Sequence, residues 1–125
     1  EDIMLVGNKI PFIDGNLNMK KALKILSNKK LGILIVQNKK KKTIGIITDG
    51  QVRRYNEKNS NLHLKNAKQI MTKNPISVDK DILAAKALSL MNSKKITSLC
   101  IYDKKNKFKT IGVVHVHNIL QSNIS

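Results

Sequence analysis

The segments TIGIITDGQVRR (residues 43–54) and TIGVVHVHNIL (residues 110–120) open on the same three residues, pass through a short apolar run and leave it through polar side chains. A phrase written twice at an offset of 67 (110 − 43) makes the chain two copies of one supersecondary unit. Each copy, at about 60 residues, is too small to cover its own faces and edges well. The two copies are therefore expected to pack against each other with a pseudo-twofold relation, leaving equivalent clefts near the repeated phrase.

The rest of each half repeats as well. Met19, Ala22, Leu23 and Leu26 recur at i, i+3, i+4 and i+7, the spacing of one helical face, and an offset of 65 turns them into Ala84, Ala87, Leu88 and Met91. Leu23, Leu26, Leu88 and Met91 are expected to be buried. Asn16 or Asn18 suits the N-cap of the first helix and Asp81 that of the second.

A Lys-Lys pair follows each helix, then an apolar run (31–36; 96–102) that reads as a strand, a lysine-rich turn, and the β-branched strand of the repeated phrase (43–48; 110–115). DGQVRRYNE and VHNILQS read as short helices, and IPFI and ISV, entered by Pro11 and Pro75, as small leading strands. The fold class is thus α/β (α+β), two pseudo-symmetric β-α-β-β-α units, with residues 1–60 forming repeat 1 and its leading linker and 61–125 forming repeat 2. The helix offset of 65 against the strand offset of 67 makes the second turn two residues longer.

The net charge of +16 raises nucleic acid as a partner. Only Arg53 and Arg54 are arginines, and only Phe12, Tyr55, Tyr102 and Phe108 are aromatic, so bidentate phosphate contacts and base stacking have few carriers. The lysines travel with Asn and Ile, all with A- and T-rich codons, and the runs NKKKK and DKKNKFK read as solvated connections between strands. Neither a nucleic-acid nor a membrane partner is expected.

The single cysteine, Cys100, excludes an intrachain disulfide and suits a reducing cytoplasm. No apolar run approaches the ~18 residues of a spanning helix, and the N-terminus lacks a secretory pattern. A start on Glu reads as a fragment of a longer protein. No Ser-His-Asp or metal-ligand spacing assembles a catalyst. His115 and His117 share a face in extended chain but lack a Cys or carboxylate close in sequence, so no metal is expected.

With two β-α-β-β-α repeats, the inter-repeat phrase IMTKNP and two Gly-apolar strands running into helices, the chain resembles a tandem pair of CBS domains. LG at 31–32, GIITDGQVRR, IMTKNP, ITSL and GVVHVHNIL together are similar to the C-terminal CBS pair of arabinose-5-phosphate isomerases, enzymes of the pathway to the lipopolysaccharide sugar Kdo. The resemblance implies a non-catalytic regulatory region joined to an N-terminal SIS domain of the same parent chain, and assembly as a homodimer or tetramer. It requires no cofactor. It also implies an adenosine-type nucleotide or related effector held between the repeats, with CMP-Kdo a candidate because it joins a ribose, a phosphate and a carboxylate.

Effector contacts carried over by the resemblance fall on Thr48, Asp49, Gln51 and Arg53 in the first half and on Thr97, Ser98, His115, His117 and Asn118 in the second. In the family a Ser or Thr hydroxyl meets phosphate and an Asp three residues later accepts from ribose. Here the acidic positions hold Gln51 and Asn118, and the second hydroxyl position holds His115. A neutral acceptor makes a weaker bond than a carboxylate. Asp49 either substitutes for the missing acid or caps the helix that follows. Leu5 stands where the isomerases usually carry a histidine, which loosens the substrate reading. Two other readings stay open: a ligand-free dimerisation scaffold and a basic nucleic-acid-binding module.

Overall fold

The computed structural model describes residues 4–6, 9–29 and 32–116. The chain divides into two compact units, Pro11–Pro75 and a second that joins Glu1–Ile10 to Ile76–Ser125.

In the Pro11–Pro75 unit, β2 (Phe12–Asp14) leads through α1 (Met19–Lys29) to β3 (Ile33–Gln37), which lies parallel to β2. A hairpin then forms the antiparallel pair of β3 with β4 (Thr43–Thr48). Helix α2 (Asp49–Lys58), a 3-10 turn (Leu62–Leu64) and the single-turn α3 (Ala67–Ile70) follow. They lead into β5 (Thr72–Lys73), which completes a sheet of order β2-β3-β4-β5.

The other unit repeats that plan. β6 (Ser77–Asp79) leads through α4 (Ala84–Lys94) to the parallel strand β7 (Ser98–Asp103), and β7 pairs antiparallel with β8 (Asn106–His115). Its fourth strand is β1 (Met4–Val6), antiparallel to β8, giving the order β1-β8-β7-β6. β1 and β5 are therefore equivalents in the repeat, and each adds to the sheet built from the other half of the sequence. This exchange is why the compact units are offset from a division at residues 60 and 61.

The repeated Thr-Ile-Gly phrase has a structural reason here. Gly45 pairs with Val36 on one side and with Lys73 of β5 on the other. A Cβ at Gly45 would lie 2.5 Å from Met71 Sδ, 2.7 Å from Met71 Cγ and 2.8 Å from the Thr72 carbonyl oxygen, closer than packed atoms allow. Gly112, its counterpart, is the β8 residue paired with Val6 of β1. At Gly45, glycine sits where the exchanged strand must come close.

Both helical stripes pack as their spacing predicts, with a difference in depth. Met19, Ala22 and Leu26 are buried with Leu34, Val36 and Ile47, and Ala87 and Met91 with Leu99, Ile101 and Val114. Leu23 and Leu88, expected to be buried, are only half-buried at the margins of these cores. They stand on the flank of each stripe, where a helix facing one sheet turns away from it. Ile33–Val36 and Ser98–Ile101 are buried continuously, so β3 and β7 are central strands covered on both faces.

Asn18 caps α1 by accepting from the Lys20 backbone N–H at 2.7 Å. Asp81 does not cap α4, contrary to expectation. Its own N–H donates to Asp79 Oδ1 at 2.9 Å in a tight turn, and the N-cap is Leu83, the counterpart of Asn18, which has no side-chain acceptor. The lysine stretch 103–109 is also not all connection. Asp103 pairs with Asn106 across a two-residue turn, and β8 runs through Lys107 and Lys109 as exposed strand. The longer connection adds one ladder pair, Asp103 with Asn106, and residues 107–109 bulge between it and the Tyr102–Thr110 pair.

Two substitutions test these assignments. Gly45→Ala should destabilise the fold by about 1–3 kcal/mol, the usual range for overpacking, because the obstructing atoms include a backbone carbonyl; denaturant unfolding monitored by circular dichroism measures it. Leu83→Asn, at a side chain 70% exposed, should stabilise by about 1 kcal/mol through a restored cap, and an unchanged denaturation midpoint would refute that account.

Candidate functional site

At the end of β4 the chain turns into α2 through extended backbone at Thr48 (φ −117°, ψ 157°), and Thr48 Oγ1 accepts the Gln51 N–H at 3.2 Å. The hydroxyl hydrogen of Thr48 remains able to donate outward. Asp49 is the first helical residue and not the cap; its N–H donates to the Gly32 carbonyl at 3.1 Å. Gly32 has φ +72°, and a Cβ there would lie 3.2 Å from Asp49 Oδ2. Only glycine suits both demands.

The arginines double back along the helix. Arg54 Nη1 lies 3.2 Å and Arg53 Nη2 3.9 Å from the point where a Cβ on Gly50 would stand, so both guanidinium groups lie over the first turn of α2. Sequence reading kept Arg53 alone of the two among the effector contacts. A helix N-terminus with a hydroxyl and two guanidinium groups over it favours an anion.

Gln51 is committed elsewhere. Its side-chain Nε2–H donates to the Ile70 carbonyl at the end of α3, which ties α2 to the segment that becomes β5. Only Oε1 is left to accept from a ligand hydroxyl. An aspartate at this position has no N–H for that tie.

The second set lies at the pseudo-equivalent turn of the other unit. Ser98 pairs across the ladder with His115, as Ile33 pairs with Thr48, and the Val116 N–H donates to the Thr97 carbonyl at 2.7 Å, as Asp49 does to Gly32. Ser98 is buried and His115 half-buried. Thr97, Ser98 and His115 are thus brought together. His117 and Asn118, with most of the second short helix, lie outside the described residues, and Leu5 is placed only as the β1 partner of Val113.

Among the described residues no three His, Cys, Asp or Glu side chains group as metal ligands, and no helix is long and apolar enough to cross a membrane. Burial pushes the Cys100 thiol up to about 11, against weaker opposing hydrogen bonds from Thr110 and Ser77. It is a packed thiol and not a nucleophile at neutral pH.

The CBS domain family model matches the chain twice, over residues 1–58 and 67–124. This chain is a tandem pair of CBS domains. The matched relatives include an uncharacterised protein of Rickettsia prowazekii, 38% identical over 125 residues (100% of this chain, 38% of the relative). The arabinose 5-phosphate isomerase of Yersinia pestis is 33% identical over 123 residues (98% of this chain, 37% of the enzyme). The CBS pair therefore spans well under half the length of these curated relatives. Among solved structures, CBSX2 in complex with AMP superposes with a TM-score of 0.82 at 21% identity, covering 97% of this chain and 92% of that one, which shows the fold.

Gln51→Asp is expected to lower stability by about 1–3 kcal/mol, since the Ile70 carbonyl loses its donor and gains a facing carboxylate. Gln51→Glu should behave the same way, and denaturant unfolding of both variants shows whether the tie or the side-chain length matters.

Proposed function

We propose that this CBS pair is the regulatory region of a sugar-phosphate isomerase of the arabinose 5-phosphate type. It binds a nucleotide or nucleotide sugar and contributes to assembly of the oligomer. The observation that carries this reading is the 33% identity, across 98% of the chain, to an arabinose 5-phosphate isomerase more than twice as long. The catalytic work of such an enzyme then belongs to its other domain, of the SIS type, and repeats 1–60 and 61–125 supply the sensing.

Thr48, Arg53 and Arg54 at the N-terminus of α2 take the phosphate of the effector, and Asp49 is the nearest carboxylate for a ribose hydroxyl. Thr97, Ser98 and His115, with His117 and Asn118 beyond them in sequence, form the corresponding contacts of repeat 2. AMP bound to CBSX2 supports the ligand class. CMP-Kdo is the effector whose cytidine ribose, phosphate and carboxylate give these groups the most to read, and as an activated pathway product it is suited to feedback.

Isothermal titration with AMP, ATP, CMP and CMP-Kdo tests the proposal. At least one ribonucleotide should bind saturably, its 2′-deoxy analogue more weakly, and Arg53→Ala should weaken it about tenfold, the scale of one charged hydrogen bond. A folded chain that binds none of them at millimolar concentration would sink the effector reading. A ligand-free dimerisation scaffold is the second reading, favoured by the engagement of Gln51 with Ile70. It predicts a concentration-dependent dimer in sedimentation with no nucleotide response.

A further inference from the structure

We propose that a second site, in the cleft beside the β3–β4 turn of the Pro11–Pro75 unit, binds a linear polyphosphate group. The lysine run is exposed between two strands, as its reading as a solvated connection expects, and it is held in an ordered turn. Asn38 Oδ1 accepts the backbone N–H groups of Lys40 at 2.9 Å and Lys42 at 3.0 Å, the Asn38 N–H donates to the Lys42 carbonyl at 2.9 Å, and Lys41 holds φ +63°. Facing it, the Lys68 N–H donates to the Gly15 carbonyl at 2.9 Å, and the Gly15 N–H to the Gln37 carbonyl at 3.0 Å. Between them lies a cleft of about 570 Å³ lined by Lys39, Lys40, Lys42 and Lys68 against one carboxylate, Asp14. That volume suits a small ligand.

The internal repeat supplies a control within the molecule. An offset of 65 carries Asp14, Gly15, Asn16 and Asn38 to Asp79, Lys80, Asp81 and Asp103. Two turn contacts are shared: the Asn16 N–H donates to Asp14 Oδ1 as Asp81 does to Asp79, and Asp103 Oδ1 accepts the Lys105 N–H as Asn38 accepts that of Lys40, although the first hairpin turn is longer. The charges are not alike. A cleft of about 480 Å³ that includes Asp79, Asp81 and Lys104, the equivalents of Asp14, Asn16 and Lys39, sets the two carboxylates against Lys86 and Lys104, and beside it Lys80 Nζ pairs with Asp103 Oδ2 at 3.1 Å. In the first copy that ion pair is replaced by a glycine without a side chain and a neutral amide. The second cleft thus sets two carboxylates against two lysines, and the first sets one carboxylate, Asp14, among four lysines. Several ammonium point charges around one opening favour a ligand with several adjacent charges over a single phosphate.

The test is titration of the 125-residue chain with sodium tripolyphosphate in 150 mM salt, followed by amide NMR. Saturable binding with the largest shifts at Gly15, Asn38, Lys40, Lys42 and Lys68 is expected, with orthophosphate at least about tenfold weaker. Asn16→Asp with Asn38→Asp, which copies the acids of the other repeat, should weaken tripolyphosphate at least about tenfold. Asn56→Asp with Asn92→Asp makes the same change in net charge at exposed helix positions and should stay within about twofold. Lys39→Gln with Lys40→Gln gives the same loss without touching the Asn38 turn, which keeps the test valid if the first double variant misfolds. Shifts spread over lysines at large, equal losses from the cleft and control variants, or no saturation would overturn the proposal. Competition by ATP at the same amides supports it with a nucleotide's phosphate tail as the source, and tripolyphosphate binding that ATP does not displace supports it with inorganic polyphosphate as the source.

Discussion

The close approach of residues 71 and 72 to the backbone at Gly45 is the contact on which the Pro11–Pro75 unit depends. It lets β5 pair with β4, and with β5 comes the end of α3, whose Ile70 carbonyl receives the Gln51 side chain. Gln51 in turn lies in the first turn of α2, the turn capped by Thr48 and overlain by Arg53 and Arg54. A steric requirement at one strand residue is thereby linked, through two hydrogen bonds, to the placement of the candidate anion site. The glycine counts as part of that site's support even though it touches no ligand.

The two repeats share a backbone plan and have parted in chemistry. At the strand-to-helix turn, Ile33 opposite Thr48 becomes Ser98 opposite His115, while the hydrogen bond that closes each turn is kept. At the hairpin end, Asn38 becomes Asp103 with its backbone acceptor role intact and its charge changed. Backbone bonds need only an acceptor oxygen in the right place, which Asn and Asp both supply, so charge drifts without disturbing the turn. Duplication gave this chain two scaffolds on which different ligand chemistry can be written.

Much of this was legible from the amino-acid order. Periodicities of 3.6 and 2 are local, and the stripes Met19-Ala22-Leu26 and Ala87-Met91 and the apolar strands were found where the pattern put them. The repeat offset of 65 shifting to 67 located a length change between the third and fourth elements of each half. What went astray was decided by neighbours distant in sequence or by competition between local bonds. Asp81 has the right chemistry for a cap, yet its backbone is drawn into the Asp79 turn. Gln51 reads as a ribose acceptor until Ile70, nineteen residues on, claims its amide. Arg53 and Arg54 fold back toward Gly50 because an exposed, flexible stem follows the helix surface and not the chain direction.

The sequence by itself determined that there are two β-α-β-β-α copies, which residues face their cores and that the chain resembles a CBS pair, because repetition and side-chain period are properties of the string. Tertiary structure alone decided which strand joins which sheet. β1 and β5 are three and two residues long, too short to declare a partner by pattern, and each goes to the sheet of the other copy, β5 where Gly45 of β4 leaves room for it. It also decided which lysines matter. A run of like charges is the same in sequence whether solvated or gathered, and only the Asn38 turn and the Gly15–Lys68 bond bring Lys39, Lys40, Lys42 and Lys68 around one cleft.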